Sequence, residues 1–345
     1  MVTKLLLVGI NGEFVLFVFR IAVQGAQAEY IRWIQQSAGF PSQCLVTVSS
    51  LSSPSDVAFL KCGGVAIGTT IHHSAVDAMS VFHFMQTWSS FSRDGDGAAV
   101  EVPCHDRTLL RPRSPPVVHP DALAVINITT DVFTISKDQV AALKRYYNGA
   151  STFCSVSALV WRCACVARRL PPDAQARICF LANVRRRLRP PLPERYFDNA
   201  VVRLGTTGVA RDIASESSLA SVAGRVASVI ARMGMDDELV RSAIDYLDQG
   251  EIDSRPPKGV MPETDLYIIS WLGMPMNDAD FGWGKPWVSS RAESIGGGFV
   301  YLMDDGPQVC QGGDGGVRVV MCMEASKLKM FEWLFYADLA KAVNP

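Results

Sequence analysis

The sequence predicts an α/β protein in which helices and strands form mixed layers. Segments with helical periodicity alternate irregularly with short apolar, β-branched runs, and neither type dominates. Because 345 residues exceed what one hydrophobic core usually organises, we expect two domains. A proline-rich stretch, residues 103–124, has the composition of an extended connector and marks the boundary between them.

The first half contains a predicted strand followed by a helix. The apolar run 65–71 predicts a buried strand that delivers His72 and His73 at its end. Asp77 is placed to cap the next helix, which we expect to end near 93–97, where glycine and aspartate alternate. The apolar face of this helix is formed by Phe82, Met85 and Trp88.

The second half contains more elements of both kinds. Ser136 and Gln139 form a capping box, and Ser151 or Thr152 begins a further helix that reaches about Arg169. Periodicity predicts three more helices, through 219–229, 239–247 and 324–343, and four strands, at 132–135, 267–271, 299–303 and 317–323.

Composition excludes several classes of function. The net charge of −1 leaves no basic surface for a nucleic acid. The nine cysteines contain no Cys-x-x-Cys pair, so neither a disulfide framework nor a zinc site is predicted. Apolar runs at 5–8 and 14–19 resemble a secretion signal, but Asn11-Gly12-Glu13 separates them and neither can span a bilayer. We expect a cytoplasmic monomer without membrane or nucleic-acid partners.

Two separated motifs indicate the chemistry. The first, His73-Ser74-Ala75-Val76-Asp77, supplies an imidazole with an ordinary pKa near 6.5, which suits a general base at neutral pH. The second, Asp280-Phe281-Gly282-Trp283-Gly284, is a five-residue string expected by chance on the order of once in ten thousand chains of this length. Together they predict an acyl-transfer enzyme.

In these motifs and their order, the chain resembles the plant BAHD acyltransferases from about Asp56 to its C-terminus. Val160-Trp161-Arg162, Ser270-Trp271 and the arginine- and proline-rich segment 187–193 add to the resemblance. The resemblance implies two chloramphenicol-acetyltransferase-like domains with the active site between them. Residues 1–55 do not resemble the family, and we expect an atypical N-terminal segment, a truncated first domain over 56–102, the connector 103–124 and a C-terminal domain over 125–345.

The resemblance also implies roles for the motif residues. His73 is expected to act as general base without an acyl-enzyme intermediate, and His72 to be its packing neighbour. Asp77 is expected to pair with an arginine or the backbone and so orient the histidine loop. Asp280 is sometimes given as an active-site acid or base in the family, but its two glycines and two aromatic residues favour a structural loop.

The donor is expected to be an acyl-coenzyme A used as co-substrate, with no permanently bound cofactor and no metal. The phosphates of coenzyme A need positive charge and free donors. Arg185 and Arg187 lie in an arginine-rich cluster, and the helix that starts at Ser151 and Thr152 offers free N–H groups. These four residues are the predicted coenzyme A contacts.

The predicted acceptor site contains Trp271 and Gly273. Family members that use shikimate or quinate carry arginine two residues after the Ser-Trp pair, where this chain has Gly273. We therefore expect an amine acceptor such as tryptamine or tyramine, acylated with a benzoyl or hydroxycinnamoyl group. The alternatives are transfer to an alcohol without a carboxylate, a truncated member with little activity, and a peptide-synthetase condensation domain, which shares the two histidines.

Overall fold

The computed structural model describes residues 13–20, 46–48, 55–59, 64–71, 76–110, 128–215, 219–235, 237–248, 261–286, 288–291, 297–305 and 315–344. The strands are β1 (Glu13–Arg20), β2 (Val46–Val48), β3 (Ser55–Phe59), β4 (Gly64–Ile71), β5 (Ile128–Ile135), β6 (Gln175–Asn183), β7 (Val201–Val209), β8 (Asp265–Ser270), β9 (Val288–Arg291), β10 (Phe299–Asp304) and β11 (Val317–Glu324). The helices are α1 (Ala78–Asp94), α2 (Lys137–Tyr146), α3 (Thr152–Ala167), α4 (Ala210–Ala214), α5 (Leu219–Met235), α6 (Asp237–Asp248) and α7 (Ala325–Val343).

The strands form two sheets, which confirms the predicted mixed α/β class. One sheet has the order β2-β3-β4-β1-β9, and the other has the order β5-β11-β10-β8-β6-β7. In the second sheet β6, β8 and β10 are parallel to one another, while the flanking pairs are antiparallel. The carboxyl ends of these three parallel strands therefore meet at one edge.

The element predictions are confirmed wherever the chain is described. Asp77 caps α1, whose last residue is Asp94, and both hydrogen bonds of the Ser136–Gln139 capping box are present at the start of α2. Strands β6 and β7, which the sequence analysis did not assign, complete the second sheet beside β8. None of the helices within the described ranges has both the length and the apolar character that crossing a bilayer requires.

The N-terminal segment supplies a central strand of the first sheet. β1 pairs antiparallel with β4 over its whole length, with Glu13 opposite Ile71, and on its other side with β9, where Val15 lies opposite Arg291. Residues ahead of Asp56 are thus paired with the strand that precedes the histidine motif.

A shared core joins the first sheet, α1 and the second sheet. Val65 of β4, Phe82 of α1, Tyr301 of β10 and Trp271, the residue after β8, belong to one buried cluster. A larger cluster fills the opposite face of the second sheet, beneath α3 and α7. Helix α1 is therefore held between elements from both ends of the chain, and this fixes the position of its N-terminus.

Candidate active site

The N-terminus of α1 is fixed by a buried ion pair. Asp77 is the N-cap residue, and its Oδ1 accepts hydrogen bonds from the backbone N–H (3.0 Å) and hydroxyl (3.1 Å) of Ser80. Arg185 donates from Nη1 to Oδ2 at 2.6 Å and from Nη2 to Oδ1 at 2.9 Å. The N–H of Ala200 donates to Oδ2 at 3.0 Å. A carboxylate with this many donors cannot turn, so the last residue of the histidine motif is rigidly placed.

The guanidinium of Arg185 is fully occupied by these partners. Its Nη2 also donates to the main-chain oxygens of Tyr196 and Asp198, each at 3.0 Å, and the guanidinium lies 5.9 Å from the centre of the Tyr196 ring. The side chain is 5% exposed. The prediction that Arg185 contacts coenzyme A therefore does not agree with its position, because a buried guanidinium with its donors taken cannot reach a phosphate.

The environment keeps Asp77 ionised. Burial alone would raise the pKa of this carboxyl, but the hydrogen bonds and charge of Arg185, with the N–H groups of Ala200 and Ser80, outweigh burial and hold the pKa below its ordinary value. The side chain accepts hydrogen bonds from all sides, which suits orientation rather than proton transfer.

His72 and His73 lie outside the described residues. β4 ends at Ile71, and the description resumes at Val76, immediately before Asp77. The structure therefore places the last two residues of the first motif, Val76 and Asp77. Its predicted base stays a prediction from the sequence.

A small cavity of about 40 Å³, which is partly open to solvent, adjoins Asp77. Its wall combines the start of α1 with the carboxyl-terminal parts of β6 and β8, the start of β7 and the loop after β8. Most of the lining side chains are apolar. The lining residues are Asp77, Ala78, Met79, Leu181, Asn183, Val201, Ile269, Ser270, Trp271 and Met274.

The start of α3 lies at the same edge of the sheet as the cavity. The ring of Phe153 packs against Phe180 near the end of β6, at 5.3 Å between ring centres. At the other end of the helix, Arg168 bonds to the main-chain oxygen of the first residue of β8 at 3.0 Å. Ser151 caps the helix and is exposed, and Thr152 is half-buried. The predicted coenzyme A contacts on α3 thus lie toward the end of the sheet at which β6 ends.

Trp271 and Gly273 form the turn after β8. Trp271 is buried, with its ring 5.4 Å from that of Phe82 and 5.8 Å from that of Tyr301. Gly273 has φ +70°, its N–H donates to Oδ2 of Asp304 at 2.6 Å, and a Cβ there would meet nothing within 4 Å. The turn thus provides one aromatic wall, and its Gly273 N–H is held by the Asp304 carboxylate.

The second motif forms a self-bonded loop. Oδ1 of Asp280 accepts the backbone N–H groups of Gly282 and Gly284, both at 2.9 Å, and both glycines have positive φ. Phe281 packs edge-on against Trp88 of α1, with 5.0 Å between ring centres. Glycine is needed at these two positions because a side chain would strain the backbone.

The loop contacts the end of α1 remote from Asp77. Arg93 donates to the main-chain oxygen of Asp280 at 2.9 Å, and its Nη1 lies 3.7 Å from the Asp280 carboxylate. Sixteen residues of helix separate Asp77 from Arg93, a length of about 24 Å. This position does not support the suggested acid or base role of Asp280. The hydrogen bonds that its carboxylate accepts from the loop backbone indicate a structural role.

Replacing Asp280 separates these two roles. We expect Asp280→Ala to lower the free energy of unfolding by about 1–2 kcal/mol, because two backbone donors lose a charged acceptor. Asp280→Asn keeps an acceptor oxygen and should cost less than half of that. Denaturant unfolding measures both. An acid or base role would instead lower kcat by roughly 10²–10⁴ in Asp280→Asn, with stability nearly unchanged.

Sequence reasoning missed two polar side chains of this region. Arg185 was grouped with Arg186 and Arg187, but Arg185 is buried and these two neighbours are exposed. Asp304 ends a predicted strand and carried no motif. Within the described residues, no group of three or more His, Cys, Asp or Glu side chains is arranged to hold a metal.

Comparison with known proteins identifies the family. The family model described as "Transferase family" matches residues 55–338. Putrescine hydroxycinnamoyltransferase 1 of Oryza sativa subsp. japonica is 40% identical over 326 residues, which are 85% of this chain and 71% of that protein.

Solved structures show the same fold. Vinorine synthase aligns with a TM-score of 0.68 at 19% identity, covering 93% of this chain and 88% of that one. F. sporotrichioides TRI101, complexed with coenzyme A and T-2, aligns with a TM-score of 0.69 at 13% identity, covering 94% and 93%. The family model, the rice relative and the shared fold agree: the chain belongs to the BAHD transferase family and is an acyltransferase that uses coenzyme A thioester donors.

Proposed function

We propose that this enzyme transfers a hydroxycinnamoyl or benzoyl group from coenzyme A to an amine and forms an amide. The observation that carries the proposal is the 40% identity to a putrescine hydroxycinnamoyltransferase. The cavity wall supports it, because Leu181, Val201 and Ile269 are apolar and favour the neutral, nucleophilic form of an amine.

The proposed mechanism uses His73 as general base. The acceptor nitrogen adds to the thioester carbonyl carbon while His73 removes its proton. The tetrahedral intermediate then breaks its carbon–sulfur bond and releases the coenzyme A thiolate, to which the imidazolium returns the proton. Asp77 takes no proton in this scheme, since its carboxylate is held by Arg185 and by backbone donors. It orients the loop that carries the base.

Coenzyme A is proposed to contact Ser151, Thr152 and Arg187. The first two stand at the start of α3, and the N-terminus of a helix favours a bound anion. Arg187 is exposed, in a turn where its N–H donates to the main-chain oxygen of Val184 at 2.8 Å. Arg187 replaces Arg185 as the arginine of this cluster proposed to reach a phosphate.

The test is thioester consumption by the purified protein with p-coumaroyl-CoA and benzoyl-CoA. The acceptors are tryptamine, tyramine, agmatine, putrescine and shikimate. We expect turnover with amines and almost none with shikimate, because the open Gly273 turn offers no cation for a carboxylate. Activity with shikimate but not with amines would contradict the proposal.

A thermal melt distinguishes a protein that does not bind coenzyme A from a folded enzyme whose acceptor is missing from this panel. A ligand that binds the native state alone raises the melting temperature, so a saturating concentration of coenzyme A should do so. A protein that melts cooperatively without a coenzyme A shift, and consumes no thioester, would match the alternative of a member with little activity.

A further inference from the structure

Asn183 brings a side-chain amide to the cavity wall. It is the last residue of β6, its side chain is exposed, and it lines the small cavity beside Asp77. Its Oδ1 accepts the backbone N–H of Arg185 at 3.0 Å. Nothing in the described part of the chain accepts a hydrogen bond from its Nδ2, so both hydrogens of this group can be donated to a ligand.

Sheet register places this amide on the face that carries the apolar part of the wall. Side chains alternate along a strand, so Asn183 and Leu181 of β6 lie on the same face. Asn183 pairs directly with Val201 of β7, and the parallel register of β6 and β8 puts Ile269 on the same face as Leu181. All of these residues line the cavity. On this face of the sheet the amide thus stands beside apolar side chains.

The carboxylate in this wall is already neutralised. Asp77 also lines the cavity, and its side chain is held by two hydrogen bonds from the guanidinium of Arg185. An ionised carboxylate has no hydrogen to donate, and here its charge is balanced by its partner. A substrate oxygen that gains negative charge therefore meets no unpaired anion among the described lining residues.

The position of the predicted base indicates which substrate oxygen comes close to Asn183. Asp77 and Asn183 line one cavity of about 40 Å³, so these two residues are close neighbours. His73, four residues before Asp77, must be within hydrogen-bond reach of the acceptor atom that attacks the thioester carbon. The oxygen bonded to that carbon is therefore the substrate oxygen that we expect nearest to Asn183.

We infer that Asn183 is a catalytic residue whose Nδ2 donates a hydrogen bond to the carbonyl oxygen of the bound thioester. This oxygen becomes negatively charged when the acceptor adds to the carbonyl carbon, and it loses the charge when the carbon–sulfur bond breaks and the C=O bond forms again. The hydrogen bond is strongest to the charged oxygen, so it lowers the barrier to reaction. The inference rests on the proposed transfer of an aromatic acyl group and assigns a residue to its charged intermediate.

Asn183→Asp and Asn183→Leu test the inference. The aspartate keeps an oxygen for the Arg185 N–H but has no hydrogen to donate, and the leucine has neither. We expect both variants to lower kcat by about 10²–10³, the usual effect of removing one such donor, while KM changes less than about threefold. Because only the aspartate adds a charge, a loss shared by both variants comes from the missing donor.

Two thioesters identify the oxygen that Asn183 binds. Steady-state kinetics are measured with p-coumaroyl-CoA and with benzoyl-CoA, and the loss in kcat should be the same for both, because both contain the carbonyl group. Of the two, p-coumaroyl-CoA alone carries a ring hydroxyl. A loss confined to this donor would mean that Asn183 binds the hydroxyl, and it would overturn the inference.

Gln175→Leu is the matched control. Gln175 is an exposed amide at the other end of β6, and its replacement should leave kcat unchanged. An active Asn183→Asp beside an inactive Asn183→Leu would assign the effect to the hydrogen bond with Arg185 and would overturn the inference. A wild-type enzyme that consumes neither thioester with any acceptor overturns the proposed function together with the inference, whereas the other outcomes overturn the inference alone.

Discussion

Replacing Arg185 by alanine is expected to lower the free energy of unfolding by about 3–5 kcal/mol. This is the cost of breaking a buried ion pair from one side, because the remaining charge stays buried without a partner. Here the remaining charge is Asp77, whose side chain is 3% exposed. The substitution also removes the hydrogen bonds that Arg185 donates to the main-chain oxygens of Tyr196 and Asp198. Denaturant unfolding at neutral pH measures the effect.

Arg186→Ala is the matched control for this prediction. Arg186 is the next residue and also forms an ion pair, with Glu194 at 3.0 Å, but both side chains are more than three-quarters exposed. An exposed pair contributes about 0–1 kcal/mol, so this variant should unfold almost like the wild type. If both variants lost the same free energy of unfolding, the buried ion pair would contribute no more to stability than the exposed one.

A double variant separates the pair from the packing around it. In Asp77→Asn with Arg185→Met, neither charge remains, so the loss should be smaller than the sum of the two single losses. Strict additivity would mean that the two residues act independently, contrary to the contacts between them.

The same pair predicts how stability depends on acid. The folded-state pKa of Asp77 lies below its unfolded value, which is about 3.9 for an ordinary aspartate. Between the two values the unfolded state binds more protons, so this contribution is present above about pH 4 and is lost as the pH falls through the folded pKa. In Arg185→Ala the carboxyl loses its main stabilising partner, and acid unfolding should begin at a higher pH.

Replacing His73 by alanine is expected to lower kcat/KM by about 10²–10⁴, the usual contribution of a general base. The loss should fall on kcat, because the imidazole acts on the proton that moves during the reaction. Stability should change little in comparison with Arg185→Ala. Steady-state kinetics with p-coumaroyl-CoA and the best amine of the panel measure the effect.

His72→Ala is the control, since the neighbouring histidine lacks an aspartate four residues later. It should keep most of the activity. In the wild type, kcat/KM should also rise with pH as the base loses its proton. A large loss in His72→Ala with little loss in His73→Ala would reverse the assignment.

Much of the fold could be predicted because its signals are local. Asp77 and Ser136 mark helix starts through their own side chains, and both cap as predicted. β7 was not predicted because its second half consists mostly of glycine and threonine, which show no alternation of apolar and polar residues. Gly205 is needed there because an added Cβ would lie 2.9 Å from the main-chain oxygen of Ile178 on β6. That requirement comes from a neighbouring strand and cannot be seen in the segment itself.

In the candidate site, too, only the features with a local signal could be predicted. The Asp77 motif could be recognised in the sequence, but its partner is 108 residues away, and one buried arginine cannot be told from its exposed neighbours by composition. Asp304 and Gly273 are likewise 31 residues apart and meet because two parallel strands end at one edge. Contacts of this kind depend on topology rather than on local pattern.

The position of β1 between β4 and β9 has a consequence for biosynthesis. β1 ends at Arg20, whereas β9 spans Val288–Arg291. The edge of β1 that pairs with β9 therefore stays unpaired until most of the polypeptide has been translated. At 5–20 residues per second, the ribosome needs roughly 14–54 s to make the intervening stretch. During that interval the edge of β1, which is rich in phenylalanine and valine, is exposed to pairing with other nascent chains.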